Sequence, residues 1–470
     1  MKKLLTLLLT VILAVGCVFG LTACGHKHDY AGVVTDKGTC TAEGTVKWTC
    51  KDDSCNHSYE TKTGKLGHSY KNGKCVRCGA EEAGVKYENV KVGLICLHDE
   101  NSTYDKNFID AFKAACAAQD VEYLIKTGIP EGSECKEAAE DLIDNGCNLI
   151  FADSFGHEPF MIEAATAHPN VQFFHATGTK AHTSGLKNYH NAFASIYEGR
   201  FLAGVAAGMK LKEMNDAGKI SDTQKDANGN IKIGYVGAFT YAEVISGFTS
   251  WYLGVKSVVG NVVMDVQFTG SWYDETAEKE AANTLIKGGC ALISQHADSW
   301  GAPNACETAK VPNVSYNGST ESQCPETFIV SSRINWQPYY EYFIECAKNG
   351  TLVDTDWAGG LGETLDAGSV VLTALGKLAP AAGTQEKIDE VVSALKAGTI
   401  KVFDCSKFTV GGKNLTSYLA DVDDWGDYIP ETEAIVKSEN GITYFAESEF
   451  RSAPYFDIQI DGINYLNVKF

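Results

Sequence analysis

The sequence predicts an α/β protein with two parallel-sheet lobes and an interlobe cleft, preceded by a small Cys-rich module. Three observations carry that reading. From about residue 88, apolar runs of strand length alternate with segments of helical period, the pattern of βαβ units. The alternation stops in a polar, turn-rich stretch at residues 213–230 and then starts again, so two α/β halves of similar size follow one another. Before residue 83 the composition is different, rich in Thr, Gly, His, Lys and Cys and poor in aliphatic residues.

The N-terminus comes first. Lys2 and Lys3 precede a nearly all-apolar run, Leu4 to Leu21, which ends in Leu21-Thr22-Ala23-Cys24-Gly25. This is the pattern of a secretory signal peptide over residues 1–23. Its end resembles the bacterial lipobox, in which the cysteine receives a diacylglyceryl group and becomes the mature N-terminus. A plain transmembrane anchor is the alternative, and the run is barely long enough for one. Cys24 is therefore expected to carry lipid and to hold the protein at the cell membrane, on its extracellular or periplasmic face. Each buried methylene adds about 0.8 kcal/mol, so two chains make a stable anchor.

Residues 24–82 form the lipid-anchored Cys/His-rich module. It has too few apolar residues to build much of a core and needs a staple. Cys50-x4-Cys55 and Cys75-x2-Cys78 resemble the two ligand pairs of a zinc ribbon, with Cys40, His26, His28, His57 and His68 nearby. One structural zinc held by Cys50, Cys55, Cys75 and Cys78 is the expectation. Disulfide bonding is the alternative in an exported module. Of the 16 cysteines, several others sit at core-like positions, among them Cys96, Cys116 and Cys346, where a free thiol packs as a small hydrophobe.

The two-lobed domain is expected over residues 88–405. In the first half, strands are read at Val90–Leu97, Val121–Ile125, Cys147–Ala152 and Val171–His175. Helices lie between them, and a long apolar helix follows at Ser195–Lys212. In the second half, strands at Ile231–Val236, Val262–Phe268, Ala291–Ser294 and Val311–Tyr316 alternate with helices at Ala242–Ser257, Glu275–Lys287 and Pro303–Lys310. Helices at Tyr339–Lys348 and Gln385–Lys396 follow. Residues 406–470 read as a β-rich C-terminal appendage.

In open α/β sheets, ligands sit beyond the carboxyl ends of the strands. The loops there combine aromatic rings with carboxylates, amides and hydroxyls. Tyr104 follows the first strand, and Asp153, Ser154, Phe155 and His157 follow the third. In the second half, Phe239, Trp272, Tyr273, Asp298 and Asn317 hold matching positions. Rings to stack on and polar groups to read an edge suit a planar, heteroaromatic small molecule.

The chain resembles the basic membrane protein family of ABC-transporter lipoproteins. The resemblance covers about residues 88–405. It rests on Ile150-Phe-Ala-Asp-Ser-Phe-Gly-His157, Tyr197-Glu-Gly-Arg-Phe-Leu-Ala-Gly204, Ile233-Gly-Tyr-Val236, Gly254-Val-Lys-Ser-Val258, Trp272-Tyr-Asp274 and Gln295-His-Ala-Asp-Ser299. It implies a periplasmic-binding-protein-like fold that captures a purine base or nucleoside and delivers it to an ABC permease with a cytoplasmic ATPase. It implies a purine sandwiched between Tyr104 and Trp272 and read by Asp153, Ser154 and His157. The family's ribose-binding Asp falls at Asn317, and its Lys falls near Ile334 with Arg333 beside it. That departure tilts the expected ligand towards a free base.

Other classes fare worse. A formal net charge of −20 argues against nucleic acid as a partner. His157-Glu158-Pro159-Phe160-Met161 begins like a zinc-protease motif, but Met161 stands where the second His belongs. No P-loop, nucleophile elbow or dinucleotide fingerprint is found. An enzyme is not expected, and neither is a cofactor in the binding domain. The chain is expected to work as a monomer. A sensor of the same fold, or a surface purine-nucleoside hydrolase, are the alternatives to a transport receptor.

Overall fold

The computed structural model describes residues 28–362, 368–420 and 435–468; the expected signal peptide and Cys24 lie outside them. The N-terminal module is a three-stranded antiparallel sheet of β1 (Tyr30–Asp36), β2 (Glu43–Cys50) and β3 (Ser58–Lys65). A small hairpin, β4 (Tyr70–Lys71) and β5 (Lys74–Cys75), follows. Val34, Val46 and four cysteines supply nearly all its buried apolar residues, which is a thin core for a sheet.

The first lobe runs through β6 (Lys91–Ile95), α1 (Thr103–Gln119), β7 (Glu122–Lys126), α2 (Ser133–Asp144), β8 (Leu149–Ala152), α3 (Glu158–Ala167), β9 (Gln172–Ala176) and β10 (Tyr189–Ala194). Then α4 (Ile196–Asp216) crosses to the second lobe. That lobe contains β11 (Ile231–Gly237), α5 (Ala242–Val258), β12 (Val262–Phe268), α6 (Glu275–Lys287), β13 (Ile293–Gln295), α7 (Gly301–Ala309), β14 (Asn313–Tyr316) and β15 (Phe328–Ile334). Next come α8 (Gln337–Asn349), β16 (Asp356–Gly359), β17 (Val370–Leu372) and α9 (Thr384–Lys396). The described chain ends with β18 (Val436–Glu439), β19 (Ile442–Phe445) and β20 (Ile463–Tyr465).

The first sheet has the order β16-β10-β9-β8-β6-β7, and all its pairings are parallel. The second has the order β17-β15-β14-β13-β11-β12-β20, with only β15–β17 antiparallel. In each lobe the strand order reverses around the first strand, β6 or β11. That reversal is the topological switch point where α/β sheets open a crevice for ligands.

The chain crosses between lobes after β10, after β15 and between β16 and β17, because β16 pairs with β10 and β17 with β15. The helix after β15 therefore belongs to the first lobe. Its Trp336, Tyr339, Tyr340 and Phe343 join Phe108, Phe151 and Phe174 in one buried cluster. Strands β10 and β15 to β17 are absent from the sequence reading: β10 and β15 are buried on nearly every residue and so lack the polar alternation that marks a strand, and β16 and β17 are only four and three residues long.

The C-terminal stretch departs from its expected β-rich character. Only the β18–β19 hairpin and β20 are regular among its described residues, and β20 adds to the second sheet beside β12. The rest is held by side chains: Phe408, Phe445, Tyr455, Phe456, Ile458 and Ile460 enter the second lobe's core. Its Ser452 N–H also reaches the first lobe, donating to Asp356 Oδ1 at 2.8 Å.

Candidate functional site

A cleft between the lobes opens at both switch points. Its non-atom space is about 410 Å³ with the solvent at its open mouth included. The first lobe contributes Leu97 and His98 after β6, Tyr104 and Asp105 from the first turn of α1, Ser154 and Phe155 after β8, and Thr177 after β9. The second contributes Glu243 from the first turn of α5, Trp272 after β12, His296 and Asp298 after β13, and Tyr316 at the end of β14.

Local structure explains why these groups face one another. Ser102 caps α1, accepting from the Asp105 N–H at 3.2 Å and donating to Asp105 Oδ2 at 2.6 Å. The cap fixes the turn that carries Tyr104. The Tyr104 hydroxyl donates to the Asp153 carbonyl at 2.7 Å, and its ring packs on Phe108 at 4.8 Å. Trp272 is held edge-on by Phe239 at 4.9 Å, and Phe239 stacks on Tyr241 at 5.2 Å. The lobes touch around the cleft: Phe155 stacks on Tyr241 at 5.2 Å and His98 meets Tyr273 at 5.5 Å.

The cleft is rich in carboxyl groups: Asp105, Glu243 and Asp298 all line it. Burial works against ionising Asp105, but hydrogen bonds from His98 and Ser102 outweigh it and hold that carboxyl below its ordinary range. Burial drives Asp298 well above the usual carboxylate range, and the charges of Asp105, Glu278 and Glu243 add to the rise. A neutral carboxyl there can donate as well as accept. His296 Nε2 lies 2.6 Å from Glu243 Oε2. Behind them, the buried Arg200 guanidinium lies 4.3 Å from the centre of the Tyr316 ring and donates to the Gln295 carbonyl at 2.9 Å.

The sequence-derived set is only partly brought together. Tyr104, Ser154, Phe155, Trp272 and Asp298 line the cleft; Phe239 supports Trp272, and Tyr273 sits on the rim. His157 does not line it. The short turn after β8 points its imidazole under the lobe, where Nε2 lies 2.9 Å from the Ile129 carbonyl. Asp153 is wholly buried beneath the cleft, accepting from the Leu97 N–H at 3.2 Å. Asn317 is likewise buried behind Asp298 and holds a left-handed backbone, φ 64°. The sequence reading missed His98, Asp105, Thr177, Glu243, His296 and Tyr316. Asp105 and Glu243 had a usable signal, since each is an acidic residue in the first turn of a helix that follows a switch-point strand.

The protease-like stretch is structural. Pro159 lies in the first turn of α3, and buried Glu158 accepts from the N–H groups of Thr179 at 2.8 Å and Lys180 at 3.0 Å.

The metal-ligand set is corrected by the module's geometry. Cys50, Cys55, Cys75 and Cys78 do not form one cluster. Cys75 and Cys78 converge with Cys40 and His68, whereas Cys50 and Cys55 converge with His28. Within each group all donor atoms lie within 4.8 Å of one another. The two pairs sit at opposite ends of the sheet, because β3 runs back between them over eight residues, roughly 26 Å of strand.

The family model described as ABC transporter substrate-binding protein PnrA-like matches residues 92–365. A putative ABC transporter glucose-binding protein of Haloferax volcanii is 30% identical over 48% of this chain and 53% of its own length. A purine-binding protein of Brucella abortus is 28% identical over 56% of this chain and 70% of its own. The chain thus spans about half the length of the first relative and more of the second. In fold, it is similar to an ABC transporter solute-binding protein from Aeropyrum pernix, with a TM-score of 0.54 and 17% identity, over 67% of this chain and 93% of that one.

Proposed function

The chain belongs to the PnrA-like family of ABC transporter substrate-binding proteins, and from that premise we propose that it captures a purine base or nucleoside at the cell surface and passes it to an ABC permease. One observation carries the ligand class: Tyr104 from the first lobe and Trp272 from the second line the same cleft, among carboxyl, imidazole and hydroxyl groups. Two rings from opposite lobes suit the two faces of a planar base, and the polar groups suit its edge. Asp298, whose carboxyl burial pushes well above its ordinary range, is the second-lobe group that we assign to the edge of the base. The lipobox-like sequence ending at Cys24 supports a lipid anchor that keeps the protein beside its permease.

A hexose is the second reading. The glucose-binding name of the Haloferax relative favours it, and rings with carboxylates also serve sugars. A thermal-shift panel separates the two. Adenine, guanine, hypoxanthine and their nucleosides are compared with glucose and amino acids. A true ligand at a hundred times its Kd adds about 2.7 kcal/mol of stability. Purines are expected to raise the melting temperature; a shift with glucose alone would replace the purine reading.

A further inference from the structure

We propose that Cys40, His68, Cys75 and Cys78 bind one structural zinc ion that fastens the N-terminal module to the first lobe. Three cysteines and one histidine are a complete donor set for a closed tetrahedral site. Their spacing fits the ion. Cys40 Sγ and Cys75 Sγ are 3.8 Å apart. Zinc–sulfur bonds of about 2.3 Å at tetrahedral angles put two thiolates ~3.8 Å apart, whereas a disulfide requires about 2.05 Å. Cys78 Sγ and His68 Nδ1 are 3.4 Å apart, against ~3.6 Å for a sulfur and an imidazole nitrogen on one zinc.

The backbone is shaped for the same purpose. Gly79 N donates to the Cys75 carbonyl at 2.9 Å, and Gly79 holds φ 76°, which closes the Cys75-Val76-Arg77-Cys78 turn and leaves both sulfurs within 4.8 Å of the Cys40 and His68 donor atoms.

The ligands come from two parts of the module. Cys40 lies in the β1–β2 connection of the three-stranded sheet. His68, Cys75 and Cys78 lie on and beside the β4–β5 hairpin. That hairpin is the part docked on the lobe. Tyr70 exchanges two bonds with Thr355, N–H to Oγ1 and carbonyl to N–H, both at 3.0 Å. The Asn72 N–H donates to Asp354 Oδ1 at 3.0 Å. The Gly67 backbone approaches the His182 carbonyl so closely that a Cβ there would lie 1.6 Å from its oxygen. An ion shared by Cys40 and the hairpin therefore ties the sheet to a hairpin already anchored to the lobe, and supplies the staple that the thin core lacks.

Elemental analysis of the full chain, purified under reducing conditions, tests this against the variants Cys78→Ser and His68→Ala. Each variant is expected to hold one zinc equivalent less than wild type, whatever the Cys50–Cys55–His28 cluster binds. Thiol alkylation of the wild-type chain keeps the test open should a variant misfold. Cys40, Cys75 and Cys78 are expected to resist alkylation until a chelator is added and then to react together. Unchanged zinc in the variants overturns the proposal. So does a disulfide among these three cysteines, or alkylation that ignores the chelator.

Discussion

The Thr103 hydroxyl and backbone N–H, in the first turn of α1, both donate to the carbonyl of Asp298 on the second lobe, at 3.1 and 3.3 Å. Asp298 also lines the cleft, so one residue both bounds the ligand and receives the bond that joins the lobes. That bond exists only when the lobes are together. It stabilises the closed state and leaves each lobe's own fold alone. Thr103→Val keeps the shape and the N–H and removes the hydroxyl bond, worth about 0.5–1.5 kcal/mol. The expected result is a two- to ten-fold weaker Kd by calorimetry, with little change in the melting temperature of the unliganded protein.

Trp272 is the ring that the second lobe brings to the cleft. Stacking of a base on an aromatic side chain is worth about 1–3 kcal/mol by alanine substitution. Trp272→Ala is expected to weaken purine binding roughly ten- to a hundred-fold, and Trp272→Phe less. Removing the indole also strips Phe239 of its edge contact, so the loss should sit at the upper end. Unchanged purine affinity in Trp272→Ala would place the ligand elsewhere.

The lobes were legible because each strand of a parallel sheet is a short apolar run with a helical segment after it. Trp272 and Asp298 were legible because they follow such runs within a few residues, and Tyr104, in the first turn of the helix after β6, because the family resemblance pointed to it. His157 follows one too, yet three residues of tight turn rotate its ring under the lobe, and spacing alone carries no sign of that rotation. Thr177 was hidden for another reason. It reaches the cleft with φ 65°, a left-handed backbone that a β-branched residue rarely adopts. Nothing in its sequence neighbourhood marks it. The cysteine pairs were grouped by spacing, which takes no account of the strand that runs between them.

His175 makes the first lobe sensitive to acid. It is wholly buried, and its Nε2 lies 2.8 Å from the carbonyl of Ser154, a cleft residue, while Nδ1 has no hydrogen-bond partner among the described residues. Burial lowers its pKa from 6.5 to about 4. Between those values the unfolded chain binds a proton that the folded chain refuses, so stability falls as pH drops from about 6.5 towards 4. One pKa unit is 1.36 kcal/mol, which makes the loss by pH 5 on the order of 2 kcal/mol. Denaturant unfolding at pH 7 and pH 5 should show that loss, and His175→Gln should reduce the pH slope by about one proton. An unchanged slope would mean that His175 takes up its proton without cost.

The crossing of α4 and α5 gives the last prediction, and it explains two of the motifs behind the family resemblance. Gly204 closes the Tyr197–Gly204 motif and Gly254 opens the Gly254–Val258 motif. In the fold they face each other. A Cβ built on Gly204 would lie 2.1 Å from the Trp251 carbonyl oxygen and 3.0 Å from Gly254 Cα. One on Gly254 would lie 2.1 Å from the Phe201 carbonyl oxygen. The obstacles are helix backbone, which cannot rotate aside as a side chain can. Gly204→Ala therefore has to push the helices apart, although alanine is the better helix former by about 1 kcal/mol. Overpacking of a close-packed interior costs typically 1–3 kcal/mol, and α4 also carries Arg200 to the back of the cleft. With backbone oxygens only 2.1 Å from the added Cβ, the overpacking cost belongs at the upper end of that range, so the expected outcome is a net loss of stability of up to about 2 kcal/mol by denaturant unfolding, with weaker ligand binding as Arg200 shifts against Tyr316. Full stability in Gly204→Ala would mean that the helices separate without cost, and that the paired glycines do not set their distance.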